Sequence, residues 1–134
     1  MAPIIAQAGC VPFRRVGQRV EVVLVTSRFT GQWIVPKGRV EPGEEARVTA
    51  LRETGEEAGL RGEVRWALGS FDQPRGHAVA RIEAYALEVV EVLDEWPERH
   101  ERKRAWFELE HALGFVDRPE VRAMLQALAE LVGA

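Results

Sequence analysis

Apolar positions change period several times along this chain, and each change predicts an element. Ile4 to Arg14 and Val20 to Arg28 are β-rich runs separated by Arg15-Val16-Gly17-Gln18-Arg19, whose central glycine suits a turn requiring positive φ. They predict a hairpin. Val20-Glu21-Val22-Val23-Leu24-Val25 is apolar at nearly every residue, as in a strand covered on both faces, so helices are expected on both sides of the sheet. After a turn near Gly31, Trp33-Ile34-Val35-Pro36 is a short apolar segment closed by its proline. From Gly43 to Gly59 the spacing turns helical, with Ala50, Leu51, Thr54 and Ala58 on one face, charge on the other, and Gly59 as the stop. Val64 to Phe71 and Ala78 to Val92 return to strand-like sequence, and Trp106-Phe107 marks another short strand. Val121, Met124, Leu125, Leu128, Leu131 and Val132 then recur at helical spacing behind a start at Asp117 and Pro119.

Strand and helix runs intermix without a linker rich in Gly, Pro or Ser, which predicts one α/β domain over residues 1–134. The net charge of −3 and the pI near 5.7 argue against a general nucleic-acid binder. An anionic ligand must then be held by local positive charge or by metal. No run approaches the ~18 consecutive apolar residues of a membrane span, so no membrane partner is expected. Cys10 is the only cysteine, which leaves no intrachain disulfide or thiolate zinc cluster and makes a reducing cytoplasm the simplest compartment. Oligomeric state is left open.

Chemistry concentrates between Gly38 and Leu60, where six glutamates face three arginines. Glu53, Glu56 and Glu57 stand at i, i+3 and i+4, which projects three carboxylates from one side of a helix. Like charges at that spacing repel, and solvent or a bound cation must relieve them. A solvated acidic face is the plainer reading of such a cluster alone. Here it follows Gly and Pro punctuation at Pro36, Gly38, Pro42 and Gly43, and Arg52 lies beside it to orient a carboxylate. A tight loop followed by a carboxylate-bearing helix suits Mg²⁺ or Mn²⁺, which is completed by waters and substrate phosphates. Lys37 and Arg39 bracket Gly38 within reach of such phosphates.

Gly38, five residues, Glu44, seven residues, then Arg52-Glu53-Thr54-Gly55-Glu56-Glu57-Ala58-Gly59-Leu60 resembles the Nudix box, departing only at Thr54, where an aliphatic residue is usual. The resemblance implies an α/β/α sandwich with a mixed sheet between helices, and metal-dependent hydrolysis of a pyrophosphate linkage in a small-molecule phosphoanhydride. It implies Glu53 and Glu57 as metal ligands, Glu56 as the base that activates water, and Arg52 as the arginine of the catalytic group. It also implies a Glu44–Arg52 salt bridge fixing loop to helix, and Gly59 ending the box. Ser27-Arg28, Trp33-Ile34-Val35-Pro36, Asp94-Glu95-Trp96 and Arg102-Lys103-Arg104-Ala105-Trp106-Phe107 resemble the branch of diphosphoinositol polyphosphate phosphohydrolases and diadenosine polyphosphate hydrolases. That likeness implies substrate contacts at Arg28, Lys37, Gly38, Arg39, Arg75, His77, Arg102 and Arg118. Met1 to Val11, however, contains none of the basic residues that hold ring phosphates in the inositol-pyrophosphate enzymes. A nucleoside polyphosphate, diadenosine polyphosphate first, is therefore the expected substrate. The alternatives are an inositol pyrophosphate, a nucleoside triphosphate, or a catalytically silent nucleotide-binding module. Trp33, Phe29 and Tyr85 are candidates for stacking on a base.

Overall fold

The computed structural model describes residues 1–133. Its elements run β1 (Ile4–Val16), β2 (Arg19–Thr26), β3 (Trp33–Ile34), β4 (Lys37–Arg39), α1 (Ala46–Ala58), β5 (Leu60–Arg75), β6 (Ala78–Val92), β7 (Arg104–Glu108), α2 (Leu109–Phe115) and α3 (Pro119–Val132). The β1–β2 hairpin turns at Gly17, whose φ is +62°. β1 pairs parallel with β6 from Ile4–Val79 to Phe13–Glu88, while β5 and β6 form a long antiparallel pair. The sheet is therefore mixed.

β1 serves two partners along its other edge. Phe13 to Val16 pair with β2, and Gln7 to Gly9 pair with β4. The segment predicted as a tight loop around Gly38 is thus partly a short strand, pinned also by Cys10 N–H donating to Pro36 O and Val40 N–H to Ala6 O. Alternation along β1 separates two cores. Ala8 and Cys10 join Ala50 and Leu87 under α1, whereas Val11 and Phe13 join Met124, Leu125 and Leu128 of α3 and Leu109 of α2. Helices cover both faces, as the apolar run Val22 to Val25 of β2 requires, and the α/β/α sandwich follows.

Five expectations are corrected. Helix α1 begins at Ala46 rather than Gly43, because Gly43 takes φ +78° and Glu44 spends its side chain on Thr49, Arg52 and the Glu41 N–H. Leu51 is 39% exposed, and Thr49 and Glu57 complete the buried face instead. Strand β5 starts at Leu60 and extends to Arg75, with bulges at Arg61/Gly62, Val64/Trp66 and Ala67/Gly69 that break the period-two signal. The N-cap of α3 is Arg118, not Asp117, and Leu131 is exposed. Thr54 is fully buried, and its hydroxyl donates to Ala50 O at 2.7 Å, which satisfies the one polar group that an aliphatic residue would lack. Among the described residues no helix is long and apolar enough to cross a membrane.

Candidate active site

Helix α1 ends where it must for its glutamates to meet the β4 strand. Gly59 takes φ +64° and caps the helix through its N–H to Gly55 O. The Trp96 ring lies against Gly59, where any Cβ would collide with it, and the Arg104 guanidinium covers the ring 3.9 Å from its centroid. Trp96 Nε1–H donates to Glu57 O at 3.1 Å, so this indole fixes the last turn of α1. Nothing in the helical pattern signals that role. At Gly38 an added Cβ would run into the Glu53 carboxylate, so the strand backbone passes directly over that acid. Glycine there is a matter of contact rather than of turn geometry.

A cleft of about 470 Å³ opens at this junction, lined by Glu53, Glu57 and Glu98 together with Lys37, Arg39 and Arg75. Arg28, Gly38, Arg102 and Arg118 also line it, as does Phe29, which is 91% exposed. Glu57 is buried; its Oε1 accepts from Lys37 N–H at 3.2 Å, and its Oε2 lies 3.4 Å from Arg102 Nη2. Burial pushes its carboxyl up to about 7, against the pull of Arg102 and the Lys37 N–H. Glu53 is raised too, by burial and then by the Glu56 charge, with Arg52 opposing. Burial lowers the Lys37 ammonium, and the Arg75 and Arg118 charges add to that, while Glu57 opposes it.

The expected clamp is present. Arg52 Nε and Nη2 donate to the two oxygens of Glu44 at 3.0 and 2.9 Å, and Arg52 Nη1 reaches Glu53 at 3.3 Å and Glu56 at 3.6 Å. That two-pronged bond, with Thr49 Oγ1–H, holds the Glu44 carboxyl down to about 2.

Other expected contacts divide. Lys37, Arg39 and Arg75 carry no ion pair among the described residues and stand ready for an anion. Arg102 faces the cleft but is committed internally, to Glu57, to Glu98 at 2.8 Å and to Thr26 O at 3.0 Å. It organises carboxylates. Arg118 reaches back from the start of α3 to Gln32 and Thr30, and Arg28 pairs with Glu101, so both hold the loop that carries Phe29. His77 departs from its expected place: it is exposed at the β5–β6 turn beside Gly76, beyond the residues that line the cleft. Glu56 does not line the cleft either, facing instead a neighbouring depression with Leu51 and Trp96. Glu98, which reads in sequence as part of a solvated charge run, reaches the cleft because its N–H donates to Glu56 O and Arg102 holds its side chain. Trp33 packs edge-on against Phe107, and Tyr85 lies under Arg47 on the α1 side, so Phe29 is the aromatic left for a ligand.

Among the described residues no group of three His, Cys, Asp or Glu side chains gathers as a ready-made metal cage. The donor set nonetheless fits Mg²⁺ or Mn²⁺, which take oxygen ligands and need few carboxylates when phosphates and waters complete the shell. The decisive feature is Glu57, a buried carboxylate whose single arginine contact leaves its charge undercompensated.

A family model described as the NUDIX domain matches residues 4–129. Diphosphoinositol polyphosphate phosphohydrolase 2 of Rattus norvegicus is 45% identical over 111 residues, covering 80% of this chain and 60% of the relative. The Homo sapiens protein of that name is 44% identical over 111 residues, covering 80% and 59%. The chain thus spans about 60% of the length of these curated relatives. Among solved structures, Ap4A hydrolase of C. elegans superimposes with a TM-score of 0.77 at 25% identity, covering 96% of this chain and 98% of that one.

Proposed function

The chain belongs to the Nudix family, and we propose that it hydrolyses a pyrophosphate linkage in diadenosine or related nucleoside polyphosphates, with Mg²⁺ or Mn²⁺ held by Glu53 and Glu57. One observation carries this reading: two half-buried to buried carboxylates from one helix share a cleft with three cations that carry no ion pair among the described residues. A divalent ion bound there supplies charge neutralisation at the bridging phosphates. Lys37, Arg39 and Arg75 bind and align the phosphate chain by charge-assisted hydrogen bonds. Arg52 and Glu44 position the helix, and Arg102 keeps Glu57 and Glu98 apart and oriented. The box motif gives the water-activating role to Glu56. Glu98 is the second carboxylate able to take that proton, and it stands inside the cleft. The pair is separated by comparing Glu56→Gln with Glu98→Gln: the true base loses kcat with little change in KM.

A second reading, hydrolysis of a diphosphoinositol polyphosphate, is favoured by the 45% identity to a phosphohydrolase of that name. The absence of basic residues from Met1 to Val11 weighs against it. Soluble small-molecule chemistry of either kind suits a reducing compartment such as the cytoplasm, where the buried Cys10 stays a thiol. A substrate panel with Mg²⁺ and Mn²⁺, products separated by chromatography and cleavage followed in ¹⁸O-labelled water, decides between them. Faster turnover of diadenosine polyphosphates supports the proposal; a clear preference for the inositol substrate overturns it.

A further inference from the structure

Two neutral side chains of the cleft, Gln7 and Gln73, are left unused by the phosphate chemistry. Gln7 is only 7% exposed, and its side-chain oxygen is buried without a hydrogen-bond partner; Gln73 Oε1 is in the same condition. Both residues line the cleft. In register Gln7 stands opposite Ile82 and Gln73 opposite Ala80, so β1 and β5 present the two amides over the same face of the intervening β6, one side-chain step apart. Arg39 pairs with Gln7 on β4, and Arg75 lies two residues beyond Gln73, so cations flank the amide pair.

A buried amide oxygen with no donor from the protein carries a desolvation cost that water, an ion or a ligand in the cleft must offset. The chemistry of the missing partner is restricted. An amide offers a donor end and an acceptor end, whichever way it is turned, and a hydroxyl or a heterocycle edge can meet both. A phosphate oxygen meets only the donor end and leaves the carbonyl unpaired. It also has better partners in Arg39 and Arg75 on either side.

We propose that Gln7 and Gln73 form a neutral subsite that binds the sugar and heterocycle of the substrate's nucleoside. This rests on the nucleoside polyphosphate reading above and gives it a physical basis. A fully phosphorylated inositol ring presents acceptors in every direction and has no donor for these carbonyls, whereas a nucleoside carries hydroxyl and amine donors beside ring acceptors. Gln7 and Gln73 are thus specificity residues that distinguish the two substrate classes.

The test uses the methylene-bridged analogue of ADP and its nucleoside-free counterpart, methylenebisphosphonate, with calorimetric affinities measured in the presence of Mg²⁺. The ratio of the two affinities isolates the nucleoside. In the wild-type chain the nucleoside-bearing analogue binds more tightly, and in Gln7→Met and Gln73→Met, which keep length and remove the amide, that preference falls roughly five- to tenfold. Should Gln7→Met fail to fold, the less buried Gln73→Met carries the same comparison. A wild-type preference that survives both substitutions overturns the amide subsite while leaving the nucleoside reading in place. No wild-type preference at all overturns both.

Discussion

Two arginine–glutamate pairs frame helix α1 and end in opposite states. Arg52 and Glu44 meet through two short hydrogen bonds at a partly solvated site, and the Glu44 carboxyl sits at about 2. Arg102 and Glu57 meet through one 3.4 Å contact with both side chains under 10% exposed, and the Glu57 carboxyl sits at about 7. The pairs contain the same groups, so the difference lies in geometry and solvent. A bidentate bond with water nearby stabilises a charge, while a buried carboxylate with one distant charged partner and one backbone N–H keeps most of its desolvation cost. Arg102 is also shared with Glu98 and Thr26 O, which leaves Glu57 less of it. The first pair is a clamp. The second leaves a buried carboxylate one positive charge short, the need that the proposed divalent cation would meet.

The largest expected effect comes from the unfinished pair. Glu57→Gln removes the charge of the proposed metal ligand and should lower kcat on the order of 10²–10³-fold, the scale seen when a transition-state stabilising group is lost. Thermal stability without metal should not fall, because Arg102 keeps Glu98 and the Thr26 carbonyl. A variant that unfolds, or one that turns over near the wild-type rate at limiting metal, would show that the pair is structural. Glu53→Gln should follow Glu57→Gln in kcat.

Breaking the clamp should act through position. Arg52→Lys retains charge but loses the two-pronged bond, and kcat/KM should drop about tenfold. Glu44→Gln should lower Tm at neutral pH, and the sign of its pH dependence is fixed. A depressed carboxyl contributes stability above its unfolded value of 4.5 and loses it as pH falls through about 2, so the gap between wild type and Glu44→Gln should close over that window. A gap constant down to pH about 2 would deny the clamp its charge.

Glu57 should give the opposite slope. Its carboxyl is raised, so in the metal-free protein its contribution is fully present below 4.5 and is lost as pH rises through about 7. Tm without metal should decline across that window more steeply in wild type than in Glu57→Gln, and Mg²⁺ should restore it most on the alkaline side. Parallel melting profiles for the two proteins would contradict the raised carboxyl.

The smallest effects separate two neighbours on the β5–β6 hairpin. Arg75→Ala should raise KM several-fold for polyphosphate substrates by removing a charge-assisted donor. His77→Ala, at an exposed turn outside the cleft, should change kcat/KM less than about twofold. Equal effects would return His77 to the phosphate site.

Part of this site was legible because the i, i+4 spacing of Glu53 and Glu57 and the punctuation around Gly38 are local features, whereas Glu56 of the same cluster faces the neighbouring depression. The Glu44–Arg52 bond was legible for the same reason, both residues lying in one motif. What escaped depends on chain segments meeting. Glu98 enters the cleft through a backbone bond to Glu56 and through Arg102, and in sequence it is one charge among several between 98 and 104. Trp96 positions α1 from beyond the β6 strand, where no periodicity marks it. Gln7 and Gln73 are neutral, and only burial without a partner singles them out. In the fold, bulges erased the alternation of β5, and seven-residue α2, with only Leu109 and Ala112 buried, is too short to show a helical period. The branch likeness makes His77 a phosphate contact beside Arg75, and the turn at Gly76 sets it outside the residues that line the cleft.

Completion of Glu57 by a cation is tested most directly by a calorimetric titration of substrate-free protein with Mn²⁺. Run in buffers of different ionisation enthalpy on either side of pH about 7, it also counts the protons released. We expect affinity to rise with pH up to about 7 and then level off, with proton release on the acid side, and both features to vanish in Glu57→Gln. Wild-type binding that is independent of pH and unchanged by Glu57→Gln would contradict the account.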